Sequence, residues 1–111
     1  MTEPEWPPLW VRASLDLAVL GCLLDGPLHG YGIAQRLEAR GFGRLKGGSL
    51  YPALSRLEDA GHVVTTWEQG EHGPGRKDYS ITDGGREYLD EGLAAWQSLT
   101  RALDPTKEHR S

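Results

Sequence analysis

Two groups of side chains in this sequence have types and spacings that suit recognition of an anionic polymer. Arg76 and Lys77 stand together at the end of Gln69-Gly70-Glu71-His72-Gly73-Pro74-Gly75, where three glycines and a proline describe a long exposed loop. Cations so placed can reach phosphates or enter a minor groove. Ser49, Tyr51 and Ser55, with Lys46 just before them, form the second group. If one helix carries them, their hydroxyls can bond base edges or phosphates, and the helix N-terminus itself attracts phosphate. The plain alternatives are a solvated helix face and a solvated hairpin end. Glu71 and His72 in the loop cut against phosphate binding, because an acid there weakens the attraction at neutral pH.

A third group is aromatic. Trp6, Trp10 and Trp96 lie toward the two ends of the chain. Trp10 and Trp96, with Ser14, can line a flat cavity for a planar aromatic molecule, since indole faces stack well and lose little rotamer freedom. Equally, Trp96 can fill a seam between helices with no ligand at all. Bond-making chemistry finds no support. His29, His62, His72 and His109 are dispersed and Cys22 is the single thiol, so zinc-ligand spacing is absent. The pairs Gly41-x-Gly43 and Gly47-Gly48 do not sit in a βαβ phosphate fingerprint. Nothing brackets a nucleophile with a base. No catalytic residue, no metal and no cofactor is expected, and an enzyme is excluded.

The elements that must carry these groups follow from periodicity. From Leu9 to Leu24 apolar residues cover nearly every side of a helix, the pattern of an element buried on more than one face, and Asp25-Gly26-Pro27 ends it. A second, amphipathic helix is predicted from His29 to Arg40, with Ile33, Ala34 and Leu37 on its apolar face. Arg36 and Arg40 face away from that stripe, as surface charges or as supports for an anionic backbone. A third helix is predicted from about Ser49 to Ala60, with Ser49 as N-cap, Pro52 in its first turn and Leu50, Leu54 and Leu57 on its buried stripe. Arg56 there can pair locally with Glu58 or Asp59.

After Gly61 the period becomes two. Val63, Thr65 and Trp67 alternate with polar neighbours, as do Lys77, Tyr79 and Ile81, which predicts one hairpin with Trp67 packed within it. Thr82 or Asp83 then caps a final helix in which Leu89, Trp96 and Leu103 repeat every seven residues, a seam suited to another helix. The fold class is therefore mainly α with a small β-hairpin.

Length and charge set the frame. The 111 residues make one domain, and 38% hydrophobic with 25% charged residues is ordinary globular composition. A domain this size leaves much apolar surface in water, so a homodimer is expected. The net charge of −4 argues against a nucleic-acid partner, but it is unevenly spread: −3 over residues 1–35, +2 over 36–77 and −3 over 78–111. An anionic partner should meet the middle third. The lone cysteine and the short apolar run Leu17–Leu24 imply a cytoplasmic protein with no membrane partner.

Three helices followed by a hairpin make a winged helix-turn-helix. The segments Gly26-Pro27-Leu28-His29-Gly30-Tyr31-Gly32-Ile33, Gly48-Ser49-Leu50-Tyr51-Pro52-Ala53-Leu54-Ser55-Arg56-Leu57-Glu58 and Gly73-Pro74-Gly75-Arg76-Lys77-Asp78-Tyr79-Ser80-Ile81-Thr82 closely resemble the PadR family of transcriptional regulators. With the tail from Gly85 to Leu103, the resemblance spans about residues 12–103 and looks like the short branch with one C-terminal helix. It implies a dimeric regulator, a repressor in most members, that binds palindromic double-stranded operator DNA. By it, Lys46, Ser49, Tyr51, Ser55, Arg76 and Lys77 are expected to contact DNA. Some short-branch members hold a planar aromatic effector between subunits against a C-terminal tryptophan, a position that Trp96 resembles; Trp10, Ser14 and Trp96 are the expected effector residues. The expected organisation is a flexible segment 1–8, a winged-helix domain 9–81, a dimerisation helix 82–104 and a flexible tail 105–111. The acidic overall charge keeps an alternative open, a winged-helix protein-interaction module without DNA binding.

Overall fold

A computed structural model describes residues 3–45, 47–68 and 75–106. Helix α1, Pro8–Cys22, opens on a proline, which loses nothing at the first helical position because that N–H has no partner within the helix. Its buried stripe Val11, Leu15 and Val19, widened by Leu20 and Cys22, makes it the central element. Burial pushes the Cys22 thiol above its ordinary value, with Arg40 and Arg36 pulling the other way. Within the segment 1–8, Glu5 N–H donates to the Gly41 carbonyl at 2.8 Å, and the Trp6 ring meets Phe42 edge-on at 5.2 Å. These contacts lay Glu5 and Trp6 against the turn that follows the second helix.

Strand β1, Leu28–His29, precedes helix α2, Gly30–Leu37, and a wider π-type turn over Glu38–Phe42. Gly41 there has a φ of 101°, and a Cβ on it would come 2.9 Å from the Glu5 carboxyl carbon. Helix α3 runs Gly47–Asp59, strand β2 Val63–Glu68, strand β3 Arg76–Ile81 and helix α4 Asp83–Leu103. The strands form an antiparallel sheet in the order β1-β3-β2, with Leu28 opposite Tyr79 and Val63 opposite Ile81. The two-residue β1 is a third strand that the expected hairpin did not include.

The core lies where α1, α2 and α3 meet the base of the sheet. Leu20, Leu23, Ile33, Leu37, Leu54 and Leu57 are almost fully removed from water. Thr82 caps α4 as expected: its Oγ1 accepts from Gly85 N–H at 2.9 Å and donates to the Gly61 carbonyl at 2.7 Å. The radius of gyration, 15.9 Å, exceeds the roughly 13 Å of a compact chain of this length. Leu103 at the end of α4 is 75% exposed, so the last turn of that helix extends from the core without a covering layer in the single chain.

Gly85 explains how α4 docks. A Cβ there would collide with the His62 carbonyl oxygen, which is backbone and cannot step aside. Gly85→Ala is therefore expected to lower stability by about 1–3 kcal/mol through overpacking. Gly84, one residue earlier, has only ordinary contacts around its Cβ position, and Gly84→Ala is expected to raise stability by up to about 1 kcal/mol. Urea melts of the two single variants check the opposite signs.

Candidate nucleic-acid interface

Helix α3 buries Leu50, Ala53, Leu54 and Leu57 and presents its other side to solvent. At 3.6 residues per turn, Ser55 sits near the middle of that outer face beside Pro52, with Ser49 and Tyr51 on opposite flanks. All three expected contact residues are exposed. Tyr51 leans back over the start of α2: a Cβ on Gly30 would lie 2.8 Å from its hydroxyl. Glycine at position 30 thus lets the tyrosine lie against the α2 N-terminus. Ser49 is the third residue of α3 and not its N-cap, because the helix begins at Gly47, ahead of the start that an N-cap role for Ser49 implied. Pro52 is consequently the sixth residue, where it has no N–H to offer the Gly48 carbonyl. Lys46 and the loop 69–74, with Glu71 and His72, lie outside the described residues.

Three cations beside this face, Arg56, Arg76 and Lys77, are matched by carboxylates. Arg56, on the same flank as Ser49, makes a forked pair with Asp16 of α1, Nη2 to Oδ1 at 2.8 Å and Nε to Oδ2 at 3.3 Å. This replaces the expected local pair with Glu58 or Asp59; the partner is 40 residues away and no local spacing signals it. Arg76 Nη2 is 3.6 Å from Glu68 Oε1, its cross-strand neighbour, and Arg76 Nε is 3.6 Å from Asp78 Oδ1. Lys77 Nζ is 3.5 Å from Glu58 Oε1 of α3 and 5.6 Å from the centre of the Tyr79 ring. Burial pushes the Tyr79 hydroxyl above its usual value, partly opposed by Lys77. Arg76 and Lys77 therefore lie on β3 with carboxylates within 3.6 Å, so an anion that bound them would compete with those carboxylates.

Other residues take different positions from those expected. Arg36 Nη1 donates to the Cys22 carbonyl at 3.1 Å, and Arg40 lies beside Gly21, so both address the C-terminal end of α1, where a cation is favoured by the helix dipole. Trp67, expected to pack in the hairpin, is 68% exposed near the end of β2. His62 stacks on Tyr88 of α4 with ring centres 4.2 Å apart, a contact that no sequence period announces.

Trp10, Ser14 and Trp96 do come together. With Trp6, Val11 and Phe42 they line a cavity of about 250 Å³ between the N-terminal half of α1 and α4. Ser14 Oγ donates to the Trp10 carbonyl at 2.8 Å. An adjoining apolar cavity of about 440 Å³ runs past Ser14 and Trp96 to Leu24, Leu89 and Leu93, with Arg40 on its lining. Among the described residues, no helix is long and apolar enough to cross a membrane, and no cluster of His, Cys, Asp and Glu could hold a metal ion.

Known proteins share this architecture. Residues 19–91 match the Transcriptional regulator PadR-like family. A transcriptional regulator of Mycobacterium tuberculosis is 34% identical over 98 residues, 88% of this chain and 90% of that protein. An uncharacterised 37.1 kDa transposon protein of Streptomyces fradiae is 43% identical over 75 residues, 68% of this chain, but the match spans only 21% of its length. Among solved structures, a PadR family transcriptional regulator from Eggerthella lenta superposes with a TM-score of 0.80 at 30% identity, covering 92% of this chain and 88% of that one. Bacillus subtilis PadR in complex with operator DNA superposes with a TM-score of 0.64 at 31% identity, covering 71% of this chain and 46% of that one. The family match begins inside α1 and ends inside α4, so it takes in α2, α3, the three strands and their connections, and on that ground the chain belongs to the PadR-like family of transcriptional regulators.

Proposed function

We propose that the protein is a homodimeric, sequence-specific DNA-binding repressor of the cytoplasm. Two copies of α3 enter successive major grooves of a palindromic operator, Ser49, Tyr51 and Ser55 meet base edges or phosphates, and Lys46, Arg76 and Lys77 take the backbone. The observation that carries this reading is the likeness to a PadR bound to operator DNA, joined to an α3 whose outer face is polar and uncovered. The helix over 82–104 serves as dimerisation helix: Leu93, Leu99 and Leu103 of α4 are exposed together with Leu9 and Trp10 of α1, an apolar surface that a second copy would remove from water. A footprint on the duplex upstream of the gene tests the geometry. Two protected half-sites related by a two-fold axis, one helical turn or a multiple apart, are expected; a single unpaired patch contradicts the dimeric reading.

A planar aromatic effector in the Trp10, Ser14 and Trp96 cavity would release the DNA. Such a ligand can act only by favouring one subunit arrangement over the other, since equal affinity for both shifts nothing. The supporting observation is that the three side chains border one apolar space on the face assigned to the dimer. Planar aromatic ligands are expected to quench tryptophan fluorescence, and Trp96→Ala is expected to abolish the quenching; quenching that survives the substitution contradicts the pocket.

A further inference from the structure

One carboxylate ties the wing to the reading helix. Thr65 Oγ1 donates to Glu58 Oε2 at 3.0 Å, and Glu58 Oε1 faces Lys77 Nζ at 3.5 Å. The strand register explains how a single side chain meets both. Thr65 pairs with Tyr79 and Trp67 with Lys77, so Thr65 and Lys77 are diagonal neighbours on one face of the sheet, the face turned to α3. Lys77 and Glu58 keep 36% and 38% of their side-chain surface in water. A pair that open is weak and can exchange for a phosphate oxygen. Arg76 also sits between carboxylates, but Glu68 and Asp78 belong to the wing itself and do not link it to α3.

We infer that Glu58 is a specificity-determining residue, which keeps Lys77 from phosphates on DNA that α3 does not fit and yields it on DNA that α3 does. The inference rests on the DNA-binding reading above. A wing lysine free to bind any phosphate strengthens binding to every sequence alike, because phosphate contacts carry no sequence information. A lysine held by the reading helix does so less. When α3 seats in its own site, Glu58 is carried toward the backbone together with the wing. Lys77 then has phosphate oxygens within reach as an alternative to the carboxylate, and the Thr65 bond keeps the wing in register during the exchange.

Glu58→Gln separates this role from a structural one, since the amide oxygen can still accept from Thr65 while the charge on Lys77 is released. Fluorescence anisotropy of the full-length protein with the upstream duplex and a scrambled duplex, at roughly 50 and 200 mM salt, reads the outcome. The variant is expected to bind the scrambled duplex more tightly at low salt. Its log-log salt dependence there should steepen by about 1.8 for a dimer, one extra phosphate contact per wing, which weakens scrambled binding roughly tenfold more between the two salts than in the parent protein. Operator affinity changes less, so the ratio of the two affinities falls. Adding Lys77→Ala removes the gain on scrambled DNA. Parent-like affinity and slope for Glu58→Gln on the scrambled duplex, or a gain that persists without Lys77, overturns the inference while leaving the DNA-binding reading intact. A parent protein that does not tell the two duplexes apart contradicts that reading itself, before any variant is compared, and the inference falls with it.

Discussion

The double variant Leu93→Asp/Leu99→Asp is expected to sediment as a 12.2 kDa monomer where the parent protein sediments as a dimer, and to lose operator binding. Both leucines are close to half open to water in the single chain, on the stretch of α4 that leads to the exposed Leu103. A stable dimer buries on the order of 1,200–2,000 Å² in total, and this apolar surface is the face assigned to it. Two aspartates per copy within it would leave four buried carboxylates with no cationic partner, each costing several kcal/mol, which is enough to abolish association. A monomer reaches only one half-site and forfeits the advantage of joining two sites in one molecule, a factor of about 10²–10⁴. Circular dichroism separates this outcome from misfolding, because the core of Leu20, Ile33, Leu54 and Leu57 is untouched by the change. A variant that stays dimeric, or a monomer that keeps full operator affinity, contradicts the assigned interface.

The second large effect is expected at the wing. Arg76→Ala/Lys77→Ala removes four cations from a dimer, and if each meets a phosphate the salt dependence of operator binding becomes shallower by about 3.6, with affinity falling by about 10²–10³ at 0.1 M salt. Part of that loss is offset. In the free protein Arg76 already lies 3.6 Å from Glu68 and Lys77 3.5 Å from Glu58, so the cations leave carboxylates as they arrive on DNA. Stability should change little, since partly exposed ion pairs contribute about 0–1 kcal/mol each. Anisotropy titrations over a salt series measure the slope directly. An unchanged slope removes the wing from the DNA interface.

Much of the fold can be read from the chain because each main element carries a strong period. The alternation from Val63 to Trp67, the stripe Leu50, Leu54 and Leu57, and the Thr82 cap each specify an element locally. What could not be read is what depends on distant partners. Strand β1 has two residues, too short to show any period, and it exists because Leu28 and His29 pair with Tyr79 and Asp78 some fifty positions on. The start of α3 was misplaced because Ser49 is a residue type that caps helices well, whereas the helix runs back through Gly47 and Gly48 despite their low helix propensity.

For the candidate site, helical spacing announced which side chains are exposed or come together, but not the charges that face them. Ser49, Tyr51 and Ser55 are exposed on α3 as helical spacing requires, and Trp10, Ser14 and Trp96 meet at one cavity. The carboxylates that face the cations were not legible. Asp16 reaches Arg56 across two helices, and Glu58 reaches Lys77 only through the register of the hairpin. On the proposed DNA-binding reading, these pairs give a physical reason for an acidic chain with cations on the wing: Arg56, Arg76 and Lys77 each face a carboxylate, and the wing cations would meet phosphates by exchange. That predicts weaker binding to arbitrary DNA than a freely basic wing would give.

Sequence-specific DNA binding is the claim on which the rest depends, and one titration tests it. A labelled duplex from the region upstream of the gene and a scrambled duplex of equal composition are titrated by fluorescence anisotropy at roughly 50 and 200 mM salt. The upstream duplex should bind at least about a hundredfold more tightly than the scrambled one, with both weakening as salt rises. Equal, weak binding of the two duplexes contradicts the account and leaves a winged helix whose exposed faces serve another protein.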